Sequence, residues 1–172
     1  MPPKLKSNEI ISKLQKGEIK GIVVFDGVCN LCNWGVKFID KRDKENKIMF
    51  AWAQDENMLE VLYKFNITKQ SVLDEFAFLE YRPYNSNNKQ NSISAYFTGK
   101  SEDNICVTRA STATLRVLNM MPLPWNICYM FILFPPFLRD LIYKLAAKTR
   151  YRIFGKTDEC QKPRKSVYDK LL

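Results

Sequence analysis

Cys29 and Cys32 stand three residues apart in the stretch GIVVFDGVCNLCNWGVKFI, directly after a short apolar run and the pair Asp26-Gly27. Residues i and i+3 share one face of a helix, so two sulfurs spaced this way come within bonding distance with little backbone change. At the start of a helix the first of them would meet backbone N–H groups that lack an intrahelical partner, and those groups and the helix dipole favour a thiolate. Such a thiol is a nucleophile without help from a second side chain. The chemistry this allows is thiol–disulfide exchange. Cys29, expected to be exposed at the helix end, attacks a disulfide, and Cys32, one turn further in, resolves the mixed disulfide. Asp26 has two roles open to it. A partly buried carboxylate there could accept the proton of Cys32, and equally Asp-Gly is a common turn and Asp a common cap before a helix.

Two other readings of the pair stand beside this one: half of a metal site, or two inert structural thiols. Zinc or an iron–sulfur cluster needs further ligands, and Cys106, Cys128 and Cys160 are scattered singly. The chain contains no histidine, which removes Cys-His catalysis, histidine-based triads and imidazole zinc sites. Five cysteines form no even disulfide framework, so reduced thiols are expected, with the close pair as the exception to explain. Cys106 and Cys128 lie in apolar surroundings and read as small buried hydrophobes. Neither a cofactor nor a metal is expected.

The elements that would position the pair alternate in type. SNEIISKLQKG reads as a short amphipathic helix capped by Ser7 or Asn8 and stopped by Gly17. GIVVFD is a buried strand, and the stretch that begins with the cysteines has apolar residues at 31, 34, 38 and 39, a helical spacing. KIMFAWAQ, ENMLEVLYKFN and DEFAFLEY follow as strand, helix and strand. Alternation of this kind predicts an α/β fold, a sheet with parallel pairing and helices packed on it. The Asn/Ser-rich residues 82–92 have little to bury and read as an insertion. ISAYFTG and NICVT are candidate returning strands, and RASTATLRVLNMM a helix with Ala113, Val117 and Met120 toward the sheet. The chain divides into an N-terminal helical extension (1–20), a central domain (21–121) and a helical, basic extension (122–172) packed on the same domain.

No charged residue occurs from Met120 to Leu138, yet four prolines leave WNICYMFILF as the longest uninterrupted piece. Ten residues at about 1.5 Å each span about half of a hydrocarbon core. A buried helix fits this run better than a span, and residues 124–138 are also a candidate for peripheral contact with a membrane or a partner. From Arg139 onward ten Lys/Arg stand against four Asp/Glu, within a net charge of +9 for the whole chain. Such an end can serve as a solvated face or attract anionic lipid or an acidic partner. Nucleic acid is not expected, because the basic residues form no module with base-stacking aromatics. The first twenty residues contain no signal-peptide core and match a transit peptide weakly, which reads as cytoplasmic, with an organelle left open.

The motif Asp26-Gly-Val-Cys29-Asn-Leu-Cys32, the block RASTATLRVL and the long block LPWNICYMFILFPPFLRDLIYKLAAKTRYRIFGKTDEC occur in that order. Together they resemble the DCC family of thiol-disulfide oxidoreductases, named for D-x-x-C-x-x-C, from about Gly21 to Cys160. The resemblance implies a thioredoxin-like fold, a central mixed sheet flanked by helices with the cysteine pair at the first helix after the strand. It implies a disulfide-containing protein or a small thiol as substrate. It also draws attention to RYRIFGK and to Cys160, a third thiol that the C-terminal segment could bring near the pair or use as a structural tie. One departure matters. The wider thioredoxin group carries a cis-proline before the third strand, facing the cysteines and helping to hold extended substrate, and NITKQSVLDEFAFL has no proline. Binding of protein substrates in the usual manner is therefore not expected to carry over.

Overall fold

The computed structural model describes residues 7–45, 47–82, 100–102 and 104–157. Cys160, most of the Asn/Ser-rich insertion and the ISAYFTG candidate strand lie outside the described residues. In chain order the elements are α1 (Ser7–Gln15), β1 (Gly21–Phe25), α2 (Asn30–Asp40), β2 (Ile48–Trp52), α3 (Glu56–Lys64), α4 (Lys69–Asp74) and β3 (Ala77–Tyr81). Then come β4 (Lys100–Glu102), β5 (Ile105–Arg109), α5 (Ala110–Asn119), a 3-10 segment (Trp125–Leu133) and α6 (Pro136–Phe154).

The strands form one mixed sheet in the order β2-β1-β3-β5-β4. β1 runs parallel to β2, with Val23 opposite Phe50, and antiparallel to β3, with Val23 opposite Phe78. β5 is antiparallel to both β3 and β4. This is the α/β, thioredoxin-like arrangement implied by the sequence. β1 is buried along its whole length, as a β-branched central strand should be. Its period-two alternation sends Ile22 and Val24 to one face, where α1, α3 and α4 supply Ile10, Leu14, Met58, Leu62 and Val72. Val23 and Phe25 point to the other, against Val36 and Ile39 of α2 and Ala113 and Val117 of α5. At Gly21 an added Cβ would lie 2.3 Å from the Phe78 ring and 2.9 Å from the Leu79 carbonyl oxygen, so β1 and β3 approach more closely there than any side chain permits.

Local signals explain most boundaries. Asp55 caps α3 by accepting the N–H of Asn57, and Thr68 caps α4 by accepting that of Ser71. Helix α4 is not among the elements expected above. It is six residues long, too short for a periodic signal. The uncharged run departs from expectation more sharply. It forms the 3-10 segment between Pro124 and Pro135, and none of its nine residues is buried. Both faces of the sheet are already covered by helices, which leaves no apolar surface for a further buried helix. Only Trp125 reaches the core, packing edge-on against Phe38 of α2 at 4.7 Å between ring centroids. Cys128 is accordingly half-exposed, whereas Cys106 is buried. Among the described residues no helix is long and apolar enough to cross a membrane.

Candidate functional site

β1 delivers the chain to a turn, Asp26–Val28, from which α2 starts. Cys29 is the N-cap of that helix, with extended backbone (φ −82°, ψ 118°), and its Sγ accepts the backbone N–H of Cys32 at 3.3 Å. The turn is pinned on both sides. Cys29 N–H donates to the Asp26 carbonyl at 3.2 Å, and buried Asn33 donates through Nδ2 to the carbonyls of Gly27 (2.8 Å) and Cys29 (2.9 Å). Both cysteines are free thiols. The Cys29 pKa is lowered to about 6, chiefly because the Cys32 thiol donates to its sulfur. Burial opposes that shift, and the Cys32 backbone N–H and the Arg150 charge add to it. The Cys32 thiol is pushed up, because its hydrogen is held by Cys29 and because it is buried beside a negative sulfur.

Asp26 is buried, 2% exposed. Its Oδ1 accepts from Gln54 Nε2 at 2.7 Å and from the Val28 N–H at 3.3 Å, and its Oδ2 accepts from the Tyr151 hydroxyl. Among the described residues its side-chain hydrogen bonds go to these three groups and to neither sulfur. Burial first, and then the hydrogen bond to Asp26 and its charge, push the Tyr151 phenol up to about 12. Tyr151 in turn accepts from Arg150 Nη2 at 3.0 Å, and Arg150 holds the end of α4 by donating to the carbonyls of Leu73 and Asp74.

Cys29 is not exposed at the helix end, as its position in the sequence suggested. It is fully covered, because the chain leaving α6 lies across it. Lys156 forms a β-bridge with Cys29, Thr157 N–H donates to the Val28 carbonyl at 2.9 Å, and Asn30 Nδ2 donates to the Phe154 carbonyl at 2.9 Å. Gly155 makes the reversal between helix and strap with φ +74°, a conformation side chains disfavour. Cys32 is half-buried and borders a cleft of about 260 Å³ between α2 and α6. The walls are mostly apolar, including Leu31, Trp34, Phe76 and Ala147, with Thr114, Tyr143 and Arg150 as polar members. The Tyr143 hydroxyl accepts the Phe76 N–H at 3.1 Å, and burial pushes its pKa up to about 12, so it stays neutral. Among the described residues the buried Arg150 Nε has no hydrogen-bond partner.

Phe76 occupies the position directly before β3 where the wider thioredoxin group carries proline. Its N–H is taken by Tyr143 and its carbonyl by the Ala110 N–H at 3.3 Å. Both main-chain groups of Phe76 are therefore engaged within the chain. Among the described residues no three Cys, Asp or Glu side chains gather as metal donors. Cys160, a member of the ligand set considered above, lies outside the described residues.

Sequence reasoning missed Gln54, Tyr143, Arg150, Tyr151 and the strap. All reach the turn or the pair across more than 20 residues of chain, and for all but Gln54 the signal was the C-terminal block of the resemblance, which contains RYRIFGK.

Residues 23–156 match the DCC1-like thiol-disulfide oxidoreductase family. The chain is 33% identical over 151 residues to "Uncharacterized protein YuxK" of Bacillus subtilis (strain 168), covering 88% of this chain and 93% of that one. It is 30% identical over 141 residues to "DCC family protein At1g52590, chloroplastic" of Arabidopsis thaliana, covering 81% and 68% respectively. No solved structure matches. With motif, sheet order and cysteine placement in agreement over most of its length, the chain belongs to the DCC1-like thiol-disulfide oxidoreductase family.

Proposed function

We propose that the chain is a dithiol–disulfide oxidoreductase in which Cys29 is the nucleophile and Cys32 the resolving thiol. The observation that carries this reading is the Cys29 sulfur at the head of α2, accepting the Cys32 N–H at 3.3 Å and ionising near pH 6. The Cys29 thiolate attacks one sulfur of a substrate disulfide, forms a new S–S bond and expels the other sulfur as a thiolate. Of the causes that raise the Cys32 pKa, its hydrogen bond to Cys29 and the Cys29 charge vanish at that moment. Cys32 then gives its proton to the departing thiolate or to solvent and attacks Cys29. The Cys29–Cys32 disulfide closes and the second substrate sulfur leaves, so the substrate gains two electrons and the chain loses two.

Asp26 acts as a positioning residue. Its carboxylate fastens Gln54 and Tyr151 around the turn, and through Tyr151 it sets Arg150, whose charge favours the thiolate. The strap from Gly155 to Thr157 lifts when substrate reaches Cys29. The apolar cleft beside Cys32 supports a compact, apolar disulfide or thiol as substrate.

The test is trapping with Cys32→Ser, which removes the resolving step. Incubated with dipropyl disulfide and, separately, with glutathione disulfide, this variant should accumulate a mixed disulfide on Cys29, faster with the apolar acyclic probe once each rate is divided by that of a free thiol in solution. Adducts spread evenly over the cysteines, or none on Cys29 with either probe, would overturn the mechanism. Preference for the charged tripeptide would overturn the substrate class alone.

A further inference from the structure

Helix α6 has two working faces. One carries Tyr143, Ala147 and Arg150 into the cleft. The other carries Phe137, Leu138, Leu141, Ile142 and Leu145, each between 41% and 73% exposed. The preceding 3-10 segment continues that surface in sequence with Ile127, Met130, Phe131 and Leu133, each more than half exposed. Single exposed apolar residues need no account, but successive turns of one helix that expose them mark a surface made for contact.

The charges around this face say what kind of contact. Positions 137, 141, 145, 148 and 152 follow one another at helical spacing, so Lys148 and Arg152 extend the apolar stripe of Phe137, Leu141 and Leu145 toward the C-terminus. Between residues 122 and 157 the chain has six basic residues against one acidic. That one, Asp140, accepts a hydrogen bond from Ser111. The acidic neighbours at the end of α4 are engaged as well, Glu75 just after it with Arg109 at 2.9 Å and Asp74 with Gln70 at 3.0 Å. The result is a surface that is apolar toward the start of α6 and gains cations toward its end, on an element too charged to cross a bilayer. An anionic membrane surface offers the complement, acyl chains beside phosphate, in the same order. A protein interface instead sets an apolar centre inside a polar rim, whereas Lys148 and Arg152 lie at one end of this stripe.

We infer that the outer face of α6 and the 3-10 segment dock on the surface of anionic membranes, lying in the interface without spanning it. The test uses the full reduced chain and sedimentation with vesicles of phosphatidylcholine alone or with about one-third phosphatidylglycerol. At about 50 mM salt the wild type should partition to the anionic vesicles far more than to the neutral ones, and salt should weaken that binding. Leu141→Glu with Leu145→Glu should lower partitioning roughly tenfold or more at any salt. Lys148→Glu with Arg152→Glu should lower it at low salt and converge with the wild type at high salt. Reactivity of Cys29 reports in each variant that the fold is intact. The inference fails if the wild type does not bind anionic vesicles at low salt, or if the leucine substitutions leave binding unchanged. It fails equally if sedimentation shows a dimer that the leucine substitutions split without any vesicle binding, since a second copy would then own this face.

Discussion

Replacing Cys32 with alanine removes the S–H donor that does most to lower the Cys29 pKa, while the backbone N–H at 3.3 Å and the Arg150 charge remain. A hydrogen bond to a charged group contributes about 1.5–3 kcal/mol, and one pH unit corresponds to about 1.4 kcal/mol. The Cys29 midpoint should therefore rise from about 6 by roughly one to two units. Serine at the same position keeps a donor and should leave the midpoint close to the wild-type value. The assay is the rate of alkylation of Cys29 by iodoacetamide, followed by peptide mass spectrometry from acid to alkaline pH. Speed alone is a poor guide. At pH 7 a thiol of pKa about 6 is about 90% ionised, against roughly 3% at the ordinary 8.5. Nucleophilicity falls with basicity at a Brønsted slope near 0.4–0.5, about 10–20-fold over that interval. The net gain is about two- to threefold, and cover by the strap reduces it further. The midpoint is the quantity to read. A wild-type midpoint near 8.5, or the same midpoint for wild type and Cys32→Ala, would refute the reasoning.

The same ionisation should appear in the reduction potential. Below pH 6 two protons accompany two electrons and the potential falls about 59 mV per pH unit, whereas above it one proton remains and the slope halves to about 30 mV. A redox titration that stays on one straight line from acid to neutral pH would count against an ionised Cys29. Asn30→Ala removes the 2.9 Å hydrogen bond that ties α2 to the end of α6. At about 1 kcal/mol it should let the strap lift roughly fivefold more often, raising Cys29 alkylation by that factor with the midpoint unmoved; an unchanged rate would remove the strap as a barrier. The buried pair Glu80–Arg116 braces β3 against α5. Arg116→Met should cost roughly 3–5 kcal/mol in urea unfolding, toward the lower end because Arg82 also reaches Glu80 at 3.1 Å, and should leave the Cys29 midpoint alone.

The frame of the fold was legible in the sequence because its signals are local. GIVVF has the β-branched composition of a central strand, and KIMFAWAQ, ENMLEVLYKFN and DEFAFLEY hold the strand, helix and strand expected of them. The cysteine spacing placed both sulfurs at one helix end for the same reason. The misplaced features depend on distant chain. Cys29 looked exposed because a helix terminus is usually open, and residues more than a hundred positions later close it. The run from Trp125 to Leu133 looked like core because apolar composition does not reveal whether a sheet face is still vacant. Apolar positions 31, 34, 38 and 39 predicted one buried stripe, yet Trp34 is 63% exposed and Asn33 is inside, held by two carbonyls of the turn. Periodicity reports where apolar groups are, and a buried amide with both protons satisfied is invisible to it.

The tight crossing at Gly21 has a consequence for anyone who screens variants of this chain. Phe78 is fully enclosed and its ring cannot swing aside, so even alanine would force the two central strands apart. Such an allele would score as loss of activity and be mistaken for a defect in electron transfer, although every reactive atom is unaltered. What falls is the amount of folded chain a cell retains. Turnover normalised to folded protein would separate that loss from a true chemical lesion at Cys29.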